Sequence, residues 1–294
     1  MAIDRRRLRR SFIEVPTMDD HKWGKIPSIP ADVFMADMED TVPPSLKLKA
    51  RERILHLIRD PSFFEGREMI VRPNNLYTEW GREDIEALAE AKVSLVNYPK
   101  CRSRQEIEEV VSIFRKHGAD PEIFLAVETP QVVLDLESIA NVDGVKGIIF
   151  GLGDLSLETG ISMFRGRGAF VEGFLYARTK SVFVGRAHGL SVIEAVFVKD
   201  LTDLEAVRHE VELSKLFGFD ANMVIYPAHV PIVNELRTPT EEEVRWARRV
   251  VEAYEDGLAH GHAAVTVGKR WITIHQYQQA KDFIELAAAF GVTA

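Results

Sequence analysis

Cysteine is nearly absent from this chain. Cys101 stands alone among 294 residues, which excludes an intrachain disulfide and any zinc site built from several thiolates. Long apolar runs are missing too. A spanning helix needs roughly 20 apolar residues in succession, and the longest comparable stretch, Gly147 to Gly153, is the size of a strand, so no membrane partner is expected. Positive charge is in deficit, with 37 Lys and Arg against 45 Asp and Glu and a formal net charge of −8. That balance argues against a nucleic-acid partner. No G-x-G-x-x-G follows an apolar run, and Gly151-Leu152-Gly153 is only a fragment of one, which weighs against a doubly wound dinucleotide-binding sheet. Linkers rich in Gly or Ser, low-complexity tracts and repeats beyond an alternating strand–helix period are likewise lacking.

Arg5, Arg6, Arg7, Arg9 and Arg10 resemble the start of a targeting segment, but Ser11 to Pro16 is too short and too acidic for a signal-peptide core. They read as a solvated approach to the first strand. The single thiol fits a reducing cytoplasm. Hydrophobic residues at 46% and charged residues at 28% give ordinary globular usage, enough to build a core without staples.

Eight short runs have strand character: Phe12 to Val15, Val33 to Ala36, Met69 to Arg72, Val93 to Tyr98, Ile123 to Val127, Val145 to Phe150, Leu190 to Phe197 and Met223 to Tyr226. Amphipathic stretches separate them, among them Ser45 to Ile58, Ser103 to His117, Gln131 to Ala140 and Thr202 to Phe217. Eight such units in about 235 residues predict an α/β fold, a (β/α)8 TIM barrel with a C-terminal helical extension. Thr240 to Ala259 reads as the eighth barrel helix. The expected division is therefore 1–259 for the barrel and 260–294 for an extension that covers the mouth or contacts a neighbouring subunit, since Phe283, Leu286, Ala287 and Phe290 make an apolar face that has to be buried.

Residues just past the strands of such a barrel converge on one mouth, where the chemistry of this fold is done. Those positions hold Glu14, Asp37, Glu39, Asp40, Arg72, Asn74, Lys100, Glu128, Asp154, Glu194 and His229. Glu128 and Asp154 come from adjacent strands and suit one hard divalent cation, magnesium or manganese, with positions left open for water and substrate. The alternative is that they cap the helices starting at Pro130 and Ser156. Arg72 offers a planar fork to a carboxylate or enolate oxygen, or else forms a salt bridge to Asp37 or Glu39. Lys47 and Arg51 lie four apart on one helix and would suit an anionic tail, or a solvated face.

These residues fall into motifs. Arg9-Arg10-Ser11, Asp37-Met38-Glu39-Asp40-Thr41-Val42-Pro43-Pro44 with Lys47 and Arg51, Val71-Arg72-Pro73-Asn74, Tyr98-Pro99-Lys100, Val127-Glu128-Thr129-Pro130 and Gly151-Leu152-Gly153-Asp154-Leu155 resemble the HpcH/HpaI aldolase and citrate lyase β-subunit superfamily. The similarity is greatest to its citrate lyase β-like, malyl-CoA lyase-like branch. The resemblance implies a TIM barrel and a homo-oligomer, trimer or hexamer. It implies Mg2+, with Mn2+ as the substitute, on Glu128 and Asp154, and Arg72 on the substrate carboxylate or enolate. Glu39 and Asp40 would be catalytic, while Asp37, Asn74, Lys47 and Arg51 would bind substrate. The implied reaction is an aldol or Claisen carbon–carbon cleavage of a small 2-oxo or 3-hydroxy acid, free or as its CoA thioester.

The chain departs from the family pattern at both ends. Where the family's first strand usually ends in Phe-x-Pro-Gly, this chain reads Glu14-Val15-Pro16-Thr17, and Arg102 replaces the usual acidic residue after Pro99-Lys100. In the tail, Val267-Gly268-Lys269-Arg270-Trp271-Ile272-Thr273 replaces Asp-Gly-Lys-x-Ile-Asp. The missing closing carboxylate favours a free-acid aldolase that releases pyruvate or another 2-oxo acid, with proton transfer left to water, Asp37, Glu39, Asp40 or His229. Lys47 and Arg51 favour the thioester. A barrel that binds a metabolite without turnover is the reading from another class.

Overall fold

The computed structural model describes residues 8–169 and 171–293. In chain order its elements are β1 (Ser11–Pro16), α1 (Asp20–Trp23), β2 (Val33–Asp37), α2 (Lys47–Arg59), β3 (Glu68–Arg72), α3 (Gly81–Glu90), β4 (Leu95–Tyr98), α4 (Arg104–Lys116) and β5 (Glu122–Val127). The short helices α5 (Pro130–Leu134) and α6 (Leu136–Ala140) precede β6 (Val145–Phe150) and α7 (Gly153–Thr159). A small hairpin, β7 (Phe164–Arg165) and β8 (Gly168–Ala169), leads to α8 (Leu175–Ala187), β9 (Ser191–Ala195), α9 (Leu204–Phe217), β10 (Ala221–Val224) and α10 (Val230–Arg237). Two compact units divide the chain, one spanning 9–234 and the other containing 235–294.

The first unit is the expected barrel. Eight parallel strands close in the order β1-β10-β9-β6-β5-β4-β3-β2, and every strand run read from the sequence is one of them. Side chains alternate across a strand, so one face of each fills the bore. Phe12, Val33, Met35, Ile70, Leu95, Phe124, Ile149 and Ile193 form that core. Small and large residues interlock within it: a Cβ on Gly147 would lie 2.2 Å from the Phe124 ring, so only glycine leaves the ring its space. Two residues further along the same faces come Glu14, Asp37 and Arg72. The parity that buries the core therefore delivers these charges to the mouth.

Helices begin where the sequence supplies a cap. Thr129 accepts from the Val132 N–H at 3.2 Å and Ser103 from the Glu106 N–H at 3.2 Å, starting α5 and α4 just beyond their strands. Arg9 and Arg10 correct the expectation of a solvated approach. Arg9 is buried, with Nε 2.6 Å from Glu68 and Nη1 2.8 Å from Glu122, and Arg10 pairs with Asp32 at 2.8 Å. Glu68 and Glu122 open β3 and β5, so carboxylates at the strand starts take up the arginines that precede β1. Arg5, Arg6 and Arg7 lie outside the described residues.

The second unit is built from α11 (Glu241–Ala259), the hairpin β11 (Val265–Val267) and β12 (Arg270–Ile272), and α12 (Ile274–Ala289). Its core joins Ala247, Val250, Tyr254, Ile272 and Ala280, with the rings of Tyr254 and Tyr277 stacked at 4.7 Å. The helix after β10 is α10. The longer α11, read from sequence as the eighth barrel helix, falls in the unit that contains residues 235–294. Among the described residues no helix is long and apolar enough to cross a membrane.

Candidate active site

Arg72 is the centre of the mouth. It ends β3, is buried, and lines a cavity of about 220 Å³ together with Glu14, Asp40, Glu128 and Asp154. Its Nε donates to Asp37 Oδ1 at 2.7 Å and its Nη2 to Glu14 Oε1 at 3.0 Å, while Glu39 Oε2 lies 3.5 Å from Nε. Burial opposes its charge, but Asp37, Glu14 and Glu39 outweigh that and hold the guanidinium firmly protonated.

Lys100 is the second cation. Its ammonium is 2.7 Å from Glu39 and from Asp40, and 3.6 Å from Asp154. Its backbone holds φ at 49°, in the left-handed region, and the N–H of that residue donates to Glu128 Oε1 at 2.8 Å. One residue thus touches both members of the Glu128–Asp154 pair.

The mouth carries a surplus of negative charge, because among the described residues Glu14, Asp37, Glu39, Asp40, Glu128 and Asp154 gather around Arg72, Lys100 and Lys47, with Lys22 near Glu14. Burial raises the carboxyl of Glu128, and the charge of Asp154 adds to it. Glu39 is pushed up to about 7 by burial and by Glu128 and Asp40, against the pull of Arg72. Burial also raises Glu14, with Asp37 and Asp40 adding to it. Carboxylates in this state fit a divalent cation. The helix-cap alternative is not realised: Thr129 caps α5, and α7 starts without any side-chain cap although Asp154 lies in its first turn. Among the described residues no group of three or more His, Cys, Asp or Glu is placed to hold a metal ion, and Glu128 and Asp154 line the cavity as two carboxylates beside Arg72.

Four residues expected to touch substrate are engaged by protein groups. Asp37 is fully buried, its oxygens taken by the Glu39 N–H, Arg72 Nε, and the N–H and hydroxyl of Thr41. Burial would raise its pKa, but Arg72 and these hydrogen bonds bring it down to about 2. Lys47 donates to Met38 O, Glu39 O and Asn74 Oδ1 at 2.7 to 2.8 Å. Asn74 in turn donates to Asp84, which receives Arg51 at 2.6 Å. This chain of contacts braces the loop that carries Glu39 and Asp40. It exists because the long side chains at the start of α2 reach back to the preceding loop and across to α3.

Residues 11–227 match the profile of the HpcH/HpaI aldolase/citrate lyase family. The chain belongs to that family. It is 32% identical over 267 residues to the (3S)-malyl-CoA thioesterase of Cereibacter sphaeroides, with 90% of each chain covered. Identity to the Escherichia coli citrate lyase subunit beta is 28% over 298 residues, 97% of this chain and 95% of that one. The crystal structure of CitE from Mycobacterium tuberculosis in complex with magnesium, acetoacetate and coenzyme A is similar at a TM-score of 0.80 and 25% identity, covering 95% and 98% of the two chains.

Two further positions of this HpcH/HpaI aldolase/citrate lyase family barrel differ from expectation. Glu194 lies between the inward-facing Ile193 and Ala195, so it points outward and forms a buried pair with Arg178 of α8, Nε to Oε1 at 2.6 Å. His229 is buried, with Nε2 2.8 Å from Leu201 O, and lines neither mouth cavity. A second cavity, about 620 Å³, shares Glu14 and Ile225 with the first and is walled by Ile13, Val15, Ile29 and Leu201, with Lys22 and Lys25 among its lining residues. Reasoning from sequence passed over Glu14 and Lys100 as functional residues. Both stood at strand ends, and the signal for Glu14 was a carboxylate where the family has an aromatic ring.

Proposed function

We propose that this protein is a divalent-metal-dependent lyase that breaks or makes a carbon–carbon bond next to a carbonyl, acting on a small 2-oxo or 3-hydroxy acid carried as a CoA thioester. The observation that carries this reading is the convergence of Arg72, Glu128 and Asp154 on one cavity. A magnesium or manganese ion held by Glu128 and Asp154 would supply stabilisation for negative charge developing on a carbonyl oxygen. Arg72 orients the acid and shares that charge through a guanidinium fixed by Asp37. Lys100 and the Lys47 chain hold the carboxylates in place. The thioester rests on the larger cavity, where Lys22 and Lys25 offer charge to phosphates and apolar walls suit an acyl arm. The names of relatives, which include citrate lyase subunit beta and citramalyl-CoA lyase, support the same chemistry.

Hydrolysis of the thioester is the second reading, favoured by the relatives at 32% identity that are named (3S)-malyl-CoA thioesterase. Incubating the purified protein and Mg2+ with malyl-CoA, citryl-CoA or a 4-hydroxy-2-oxo acid separates the readings by product. A shorter acyl-CoA with an oxo acid marks the lyase, free CoA with an intact hydroxy acid marks the thioesterase, and pyruvate from the free acid alone marks the aldolase. The expected outcome is lyase cleavage with kcat/KM in the range of about 10⁴ to 10⁸ M⁻¹s⁻¹. Calorimetry should show Mg2+ binding that Glu128→Ala abolishes; wild-type affinity in that variant would remove the assignment of the metal pair.

A further inference from the structure

Carbon–carbon cleavage of a hydroxy acid needs a group that takes the hydroxyl proton and gives a proton to carbon. The tail does not supply it. Thr273 stands where the family's closing aspartate is expected, and its hydroxyl is held 2.7 Å from Gln276 Oε1 as the cap of α12. Most of the mouth carboxylates are committed elsewhere. Asp37 is enclosed by four donors, Glu39 and Asp40 are both bound by Lys100, and Glu128 and Asp154 form the metal pair. Glu14 Oε1 accepts from Arg72, and among the described residues its Oε2 has no hydrogen-bond partner. Glu39 also keeps an oxygen, Oε2, without a hydrogen bond, but it lines neither mouth cavity, whereas Glu14 lines both.

Its position is equally distinct. Glu14 lies on the bore face of β1, two residues beyond the core residue Phe12. It lines both the 220 Å³ cavity that holds Arg72, Glu128 and Asp154 and the 620 Å³ cavity beside it. An acyl chain that runs from one cavity to the other passes this carboxylate. The geometry points to Glu14 as the proton-transfer residue of the cleavage, the group that replaces the missing tail carboxylate; this rests on the lyase reading above. In the cleavage direction the Glu14 carboxylate takes the hydroxyl proton, the carbon–oxygen single bond becomes a carbonyl, and the carbon–carbon bond breaks. The electron pair of that bond passes to the adjacent carbonyl as an enolate. Protonated Glu14 then returns the proton to the enolate carbon, and neither oxidant nor reductant is consumed. The charged groups around Glu14 are Arg72 from β3, Asp37 from β2, Asp40 beyond it and Lys22 from α1, with His21 and Lys25 lining the larger cavity and Glu128 and Asp154 the smaller one; Met223 and Ile225 on the β10 side add none. The upward shift of its carboxyl brings it nearer to neutral pH, as a proton shuttle requires.

The test compares wild type with Glu14→Gln and Glu14→Asp for kcat against pH on malyl-CoA and on a 4-hydroxy-2-oxo acid, alongside Mg2+ binding by calorimetry. The expected result for Glu14→Gln is a loss of about 10²- to 10⁴-fold in kcat and disappearance of the acidic limb of the profile, with Mg2+ affinity unchanged and partial recovery in Glu14→Asp. A Gln variant with wild-type kcat would overturn the assignment. So would a loss of activity that leaves the shape of the pH profile intact or removes Mg2+ binding, since either means that Glu14 only positions Arg72 or the metal pair. If the wild type cleaves neither substrate, the lyase reading fails by itself. Glu14 is then read from Mg2+-dependent deuterium exchange at the methyl carbons of acetyl-CoA and pyruvate. Exchange lost in Glu14→Gln upholds the proton-transfer role, and exchange retained, or absent from the wild type, ends it.

Discussion

Arg72 and Arg178 are both buried in the wall of the same barrel and both bonded to a glutamate, yet only one of them faces a cavity. Arg178 meets Glu194 through two contacts of 2.6 and 2.8 Å, with its guanidinium 4.3 Å from the Phe217 ring centroid. Arg72 shares itself among Asp37, Glu14 and Glu39 and faces open space lined by three further carboxylates, Asp40, Glu128 and Asp154. The difference is strand parity: Arg72 continues the bore face of β3, while Glu194 sits on the outer face of β9. A buried ion pair is therefore no sign of a site. A surplus of one charge sign facing a cavity is, because that surplus has to be completed by something from outside.

Breaking the outer pair should have the largest effect and spare the chemistry. Arg178→Met takes the cation away from the buried Glu194 and should cost about 3 to 5 kcal/mol of stability, read as a lower midpoint in urea. Magnesium affinity and kcat of the folded fraction should stay at wild type. A loss below 1 kcal/mol, or a change in metal binding, would erase the distinction between the two pairs.

Arg72→Lys tests the inner side. A point charge cannot satisfy Asp37 and Glu14 and also present a planar fork to substrate, so kcat/KM should fall about 10²-fold, equivalent to roughly 3 kcal/mol of transition-state stabilisation. Unchanged kinetics would make Arg72 a structural partner like Arg178.

The smallest effect concerns Asp37. Its pKa of about 2 in the folded protein lies below the ordinary 3.8, so its ionised form adds stability that is present above pH 3.8 and lost as pH falls through 2. The gap corresponds to about 2 kcal/mol. Urea melts of wild type and Asp37→Asn should differ by at least that amount at pH 7 and converge only below pH 2. A constant difference across that range would separate Asp37 from the Arg72 pair.

All eight barrel strands were legible as short β-rich runs, and so was the convergence of charges on the mouth, because both follow from alternation along a strand. The phase of β9 was not. Leu190 to Phe197 is apolar almost throughout, so the run carries no parity signal and Glu194 fell on the wrong face. Long basic side chains defeated the reading for another reason. Spacing puts Lys47 and Arg51 on one face of α2, but their partners Asn74 and Asp84 are tens of residues away in sequence and met only through the fold. Arg9 and its pairing with Glu68 and Glu122 is the same case at the other end of the barrel. At α11 the amphipathic pattern was right, but amphipathicity does not say which apolar surface a helix covers.

The left-handed backbone of Lys100 sets stability and site against each other. A side chain held at φ 49° costs on the order of 1 to 2 kcal/mol that glycine would avoid. Glycine there would also leave Glu39, Asp40 and Asp154 facing one another without the ammonium that separates them. A search for more heat-resistant versions of this barrel should favour glycine at position 100 and damage the mouth by doing so. Selection for turnover should keep a lysine that the backbone alone would reject.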